Sequence, residues 1–270
     1  MGADMQSVAD VAALPSRSFA TGRTVLALIL REMVTTYGRS PGGYIWALLE
    51  PVAGIALLSF AFSLAFHAPS LGTSFPLFYA TAYLPYMLFH DVAGKTATAI
   101  RFSRPLLSFG AVSWLDVVLA RFLLNLMTHL MVTTVVLIGI VVIFDVHTAP
   151  NLAAAAIAVA MAAALALGVG MLNCYLFLAF PAWERVWLVA TRPLFIISGV
   201  FFLFEDIPAE LRDYLWYNPL FHVTGQMRQG FYATYSADYV SPVFAFGLGF
   251  GLLFVGMAAL SRSADGLIHK

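Results

Sequence analysis

Charged side chains are scarce in this sequence: Asp, Glu, Lys and Arg make up 10% of its 270 residues, against about 25% in a soluble domain. That scarcity excludes the ionic surface a water-soluble fold of this size needs. The charges also cancel, 14 basic against 14 acidic, so there is no basic excess of the kind that marks a nucleic-acid binder. Cys174 is the one cysteine, which excludes an intrachain disulfide, and no Cys/His spacing offers a zinc site. No carboxylate pair, Ser-His-Asp arrangement or metal-ligating helix stands out, which argues against an enzyme. Gly94-Lys95-Thr96 looks like the end of a phosphate-binding loop, but that loop needs a glycine where Phe89 stands, and a strand before it. The chain is therefore expected to bind no nucleotide and no other cofactor.

What is abundant is apolar surface. Hydrophobic residues make up 61% of the chain, and a bilayer core is crossed by about 20 apolar residues in a helix. Stretches of that kind lie near 46–67, 76–99, 112–144, 152–180, 187–204 and 242–261. The expected fold is an all-α integral membrane protein, a single transmembrane domain with a six-helix bundle over 46–261. Residues 1–22 and 262–270 read as tails. No secretory pattern opens residues 1–22, which predicts that the N-terminus stays in the cytoplasm.

Cations orient the spans. With both termini inside, Arg17, Arg23, Arg31, Arg39, Arg101, Arg104, Arg185, Arg262 and Lys270 fall on the cytoplasmic side, and only Arg212 and Arg228 fall outside. The outer loops carry Asp145, Glu205, Asp206, Glu210, Asp213 and Asp238 instead.

Two amphipathic regions accompany the spans. In residues 23–40, Leu26, Ile29, Leu30, Met33 and Tyr37 share one helical face and Arg31, Thr35 and Arg39 another, the pattern of a helix lying in the interface plane. In 205–232, Asp206 is placed to cap a helix over about 208–217, and Asn218-Pro219 ends it. A second helix to about Gly230 carries Leu220, Val223, Met227 and Phe231 on one side. Both are too short to span, so the expectation is an outer-side re-entrant hairpin between the fifth and sixth spans.

Ala154, Ala158, Ala162, Ala166 and Gly170 form a small-residue stripe in the fourth span, and Gly247 and Gly251 repeat the spacing in the last. Such stripes bring helices close, within the chain or between subunits. Asp91 and Lys95 stand one turn apart and could pair, while Arg121, Asn125, His129 and Thr133 form a polar stripe that must avoid lipid. It could be an internal network, a substrate lining or a proton relay. Trp46, Phe66, Tyr83, Tyr86, Phe201, Phe202, Phe204 and Tyr217 lie near span ends. They suit either an interfacial aromatic belt or a path whose flat faces stack on sugar rings.

Short motifs then follow one another in an ordered series. Arg31-Glu32 runs into Tyr37-Gly38-Arg39-Ser40, Gly43-Tyr44-Ile45-Trp46 and Glu50-Pro51. Gly199-Val200-Phe201-Phe202, Phe204-Glu205-Asp206-Ile207-Pro208, Asn218-Pro219-Leu220-Phe221-His222 and Arg228-Gln229-Gly230-Phe231-Tyr232 come later. This order resembles the ABC-2 type permeases of capsular polysaccharide and O-antigen export in Gram-negative bacteria, and the likeness spans nearly the whole chain.

The resemblance implies an inner-membrane permease subunit working as two copies, with a channel along their interface and a lipid-linked polysaccharide as cargo. It implies two separate ATPase subunits that bind ATP and Mg, a periplasmic copolymerase and an outer-membrane channel. It places ATPase coupling in the loop 100–111, with Arg101, Phe102, Arg104 and Pro105, and a cytoplasmic gate in the interfacial helix that carries Arg31, Glu32 and Arg39; from the residues alone, Arg31 and Arg39 could instead hold anionic headgroups or serve as positive-inside anchors. The residues themselves leave other readings open. These are another ABC-2 cargo such as O-antigen, teichoic acid or a drug; an ion-coupled transporter using Asp91, Lys95, Asp116 and Arg121; or a membrane enzyme acting on lipid-linked sugars.

Overall fold

The computed structural model describes residues 20–36, 43–107 and 112–268. Arg39 and Tyr37, with the rest of 37–42, lie outside the described residues, as do most of the N-terminal tail and residues 108–111 of the expected coupling loop. Among the described residues the chain is helical and has no strand. Its elements are α1 (Ala20–Thr36), α2 (Gly43–Ala65), α3 (Phe75–Ala97), α4 (Ala99–Phe102), α5 (Arg104–Leu107), α6 (Trp114–Ile143), α7 (Leu152–Ala179), α8 (Pro181–Ile196), α9 (Ala209–Leu215), α10 (Pro219–Phe231) and α11 (Pro242–Ile268).

Among the described residues, four helical stretches are long and apolar enough to cross a membrane: Ile45–Ala65, Trp114–Ile143, Leu152–Ala179 and Pro242–Ser263. The two other expected spans differ for separate reasons. α3 has the length, at 23 residues, but carries His90, Asp91, Lys95 and three tyrosines. It runs through the middle of the bundle with 15 of its residues buried, Tyr79 and Tyr86 among them, while His90 and Asp91 are half-buried and Lys95 is exposed. α8 starts six residues before the expected fifth span and ends after 16 residues, roughly 24 Å of helix. Pro193 near its end and Gly199, which has a φ of 73°, stop it. The chain continues over 197–203 as turns.

Local chemistry sets the helix starts. Ser74 Oγ accepts from Leu77 N–H, with Pro76 in the first turn of α3. Ser113 and Asp116 form a reciprocal capping box on α6. Asn151 Oδ1 accepts from Ala153 and Ala154 N–H at the start of α7. Asp116, a candidate proton carrier on sequence, is thus engaged as a helix cap.

α3 and α7 form the centre, with α6 and α2 against α3, α11 and α10 against α7, and α1 against α6. Ala158, Ala162 and Ala166 are fully buried, so the small-residue stripe faces inward, and a Cβ on Gly170 would press on Thr96 and Ala93 of α3. The seam with α11 uses other glycines than expected. Gly247 and Gly251 face open space, whereas a Cβ on Gly168 would meet Gly249 O at 2.1 Å and one on Gly256 would meet Leu172 N at 2.7 Å. α6 and α7 hardly touch, and an apolar groove of about 970 Å³ opens between them, floored by Met227, Phe231, Phe246 and Phe250.

The antiparallel helices give the bundle two ends. One carries α1, α4, α5 and the start of α8. The other carries α9, α10 and the starts of α3, α7 and α11. Where α1 meets α6, Val25 is buried, while Leu26 and Leu30 on the expected apolar face are more than half exposed.

Candidate functional site

α2, α3 and α8 bring aromatic rings together in a row along the bundle. Phe66 stacks on Phe62 with centroids 6.0 Å apart, and Phe62 meets Tyr79 at 5.3 Å and Phe201 at 5.8 Å. Phe201 meets Phe195 at 5.1 Å, Phe195 meets Tyr86 at 5.1 Å and Tyr83 at 5.9 Å, and Tyr86 stacks on His90 at 5.9 Å. The spacing of Tyr79, Tyr83, Tyr86 and His90 keeps them on one side of α3, and the turn at Gly199 folds Phe201 back onto Phe195. Tyr86 is buried, Phe66 is exposed, and Phe62, Tyr83, Phe195 and Phe201 are half-buried.

This row joins four of the sequence candidates: Phe66, Tyr83, Tyr86 and Phe201. It also holds Tyr79, another aromatic near a span end, and adds Phe62, Phe195 and His90, which sequence reasoning missed. The i, i+4 spacing of Phe62 and Phe66 was a usable signal. The union of Phe195 with Phe201 was not, because it depends on how the chain turns after α8. The remaining aromatic candidates stand apart from the row. Trp46 is exposed on the first turn of α2, Phe202 lies against Phe221, Phe204 is buried and stacked 4.1 Å from Tyr239, and Tyr217 is exposed beside Trp216.

Beside His90 the row gives way to ionisable groups. Asp91 Oδ2 lies 3.2 Å from His129 Nε2 on α6, so the partner Asp91 takes is across helices rather than along α3 at Lys95. One turn nearer the α1 end, Glu32 Oε1 lies 3.5 Å from Arg121 Nε. The Arg121 guanidinium also sits 4.1 Å from the centroid of the Phe102 ring. Asn125 Nδ2 donates to Arg121 O at 2.7 Å. Arg121, Asn125 and Thr133 are buried and His129 is half-buried, so the polar stripe of α6 faces protein. Burial raises the Glu32 carboxyl above its usual range, and Arg121, Lys95 and Arg31 pull it back. Arg31 itself is exposed.

Of the coupling candidates, Arg101 Nη1 donates to Glu184 Oε2 at 2.8 Å, tying α4 to the first turn of α8, and Phe102 is half-exposed. Arg104 and Pro105 belong to α5, the next short helix.

The other end is organised by α10, which buries 11 of its 13 residues. Asn218 caps it by accepting from Leu220 N–H and donates to Ile197 O at 2.6 Å. Asp206, expected as a helix cap, instead accepts from Leu203 N–H, and Pro208 opens α9. Arg228, expected among the outer cations, is 1% exposed. Its Nη1 donates to Phe202 O at 3.1 Å and Nη2 to Val200 O at 3.4 Å, with the Phe78 ring centroid 4.4 Å away. His222 Nδ1 accepts from Ser241 N–H at 3.1 Å. The proton must therefore sit on Nε2, which donates to Trp216 O at 2.8 Å. Tyr235 OH donates to Glu205, and burial pushes its phenol well above the ordinary range. In chemical terms the described residues offer a flat-faced apolar row, a carboxylate–imidazole pair beside it, and two buried guanidiniums at opposite ends.

Residues 23–232 match the family described as ABC-2 type transporter. Among curated proteins, the chain is similar to the polysialic acid transport protein KpsM of Escherichia coli, 28% identical over 245 residues, covering 91% of this chain and 95% of that one. It is similar to the capsule polysaccharide export inner-membrane protein CtrC of Neisseria meningitidis serogroup A, 26% identical over 91% of this chain and 92% of that one. It is also similar to the capsule polysaccharide export inner-membrane protein BexB of Haemophilus influenzae, at 26% identity over 91% and 93% of the two chains.

Proposed function

Because this chain belongs to the ABC-2 type transporter family, we propose that it is the membrane subunit of an ATP-driven exporter of lipid-linked capsular polysaccharide. Two copies form the channel along their shared interface, and two separate ATPase subunits supply the energy. α2, α3, α6, α7, α8 with its extension 197–203, and α11 make six crossings. α1 lies in the cytoplasmic interface, and α9 with α10 re-enters from the periplasmic side. The distribution of cations supports this orientation. The burial of α10 supports re-entry, since a short helix at membrane depth must be covered by protein. A periplasmic copolymerase and an outer-membrane channel complete the route.

The observation that carries this reading is the aromatic row. Rings present flat apolar faces to the C–H faces of sugars, holding them without the directional bonds that would trap a sliding polymer. The partial exposure of Phe62, Phe195 and Phe201 leaves faces for a glycan or a second copy to meet.

The test is export of glycan by cells carrying Phe201→Ala and Phe201→Tyr. Losing a stacking face worth about 1 kcal/mol per sugar lowers surface polysaccharide several-fold in the alanine variant, while the tyrosine variant stays near wild type. The purified chain hydrolyses no ATP, and an ATPase subunit copurifies with it until Arg101 and Arg104 are both replaced. Export that continues with the ATPase disabled but stops when the proton gradient collapses would overturn the reading in favour of ion coupling.

A further inference from the structure

Arg121 sits where three elements meet. It belongs to α6, its carboxylate partner Glu32 to α1, and the ring beneath its guanidinium to α4. The residue is 8% exposed, yet Nε and Nη1 have no hydrogen-bond partner, and 3.5 Å is long for a charge-assisted bond. A buried guanidinium optimised for stability would have its donors filled. This one is held by a loose ion pair and a cation–π contact, both made by short helices at one end of the bundle.

We propose that Arg121 is a positioning residue that couples α1 to α4, so that a displacement of the loop carrying Phe102 is passed to the helix carrying Glu32. The role rests on the reading of α4 and its loop as the contact with an ATPase. α6 is the fixed member, 30 residues long with a capped start, and α1 packs against it. When α4 moves, the Phe102 ring withdraws from the guanidinium. The cation then turns toward Glu32, whose carboxylate is the other group that attracts it. The unfilled donors allow this exchange, since little hydrogen bonding is broken in either position. Arg101, which ties α4 to Glu184 on α8, gives the same short helix a second lever on the row through Phe195.

The experiment uses the full chain with its ATPase in membranes, reading ATP hydrolysed and surface polysaccharide exported. Arg121→Gln is expected to assemble with the ATPase and to keep hydrolysis within about twofold, while export per ATP falls at least tenfold. Arg121→Lys keeps the charge and restores most of that ratio. Glu32→Gln with Arg121→Gln is no worse than Arg121→Gln alone, because both act through one contact. Phe102→Leu, at a half-exposed position that does not endanger folding, lowers the ratio about threefold. The inference is overturned if Arg121→Gln exports at the wild-type ratio, if hydrolysis and export fall in step, or if the losses add. Wild-type export independent of ATP would instead overturn the function on which the role rests.

Discussion

The two buried guanidiniums show how differently the ends of this bundle are built. Arg228, on α10, points Nη1 and Nη2 at the backbone carbonyls of Phe202 and Val200 and leaves only Nε without a hydrogen-bond partner. Carbonyls of that kind cannot rotate away without unfolding the segment. Arg121, on α6, is held by one side-chain carboxylate and one ring, and each can swing on its own rotamers. Side chains change rotamer far more readily than backbone rearranges. The α10 end is therefore fixed in place, and the α1 end is left adjustable. The same division runs through the neighbours. Asn218, Thr224 and His222 all bond to main-chain groups, whereas Asp91, His129 and Glu32 bond to side chains.

The comparison breaks most visibly at Arg228. Arg228→Met leaves two buried carbonyls without donors and should cost about 3–5 kcal/mol, read as a fall in thermal midpoint of the purified protein. Arg121→Met should cost about half as much, because the carboxylate it abandons can turn toward solvent or Lys95. Equal losses would abolish the distinction. Gly168→Ala attacks the frame shared by both ends: its methyl would meet the Gly249 carbonyl oxygen, and prising the α7–α11 seam open should cost about 1–3 kcal/mol in the same measurement. Arg228→Lys, unable to serve two carbonyls and lie flat on Phe78, should lose about 2 kcal/mol, against under 1 for Arg121→Lys. The smallest effect separates the rings. Phe78→Leu should cost about 1 kcal/mol through Arg228, while Phe102→Leu should leave the thermal midpoint nearly unchanged.

Hydropathy located α2, α6, α7 and α11, because each turns much of its surface outward and so had to be apolar. It said less about α3, most of whose surface is covered by protein rather than lipid, and nothing in a transfer scale reports surroundings. The two short helices of 205–232 were legible from Asn218-Pro219. The burial of Arg228 was not, since a lone cation between apolar residues reads as a surface charge until its carbonyl partners, nearly thirty residues earlier in sequence, are brought to it. Four-residue spacing signalled close packing of α11 but not its face, and Gly249 rather than Gly247 makes the contact. Half of the aromatic candidates fell on one row, because α3 and α2 are regular enough to project ring positions. Phe195 and Phe201 needed the bend at Gly199.

The imidazole of His222 touches the chain just before α10, at Trp216, and again well after it, at Ser241. One ring thus works as a cleat that ties off both ends of the same excursion. Slack introduced anywhere between those two points has nowhere to run out, and must bulge locally or pull the cleat free.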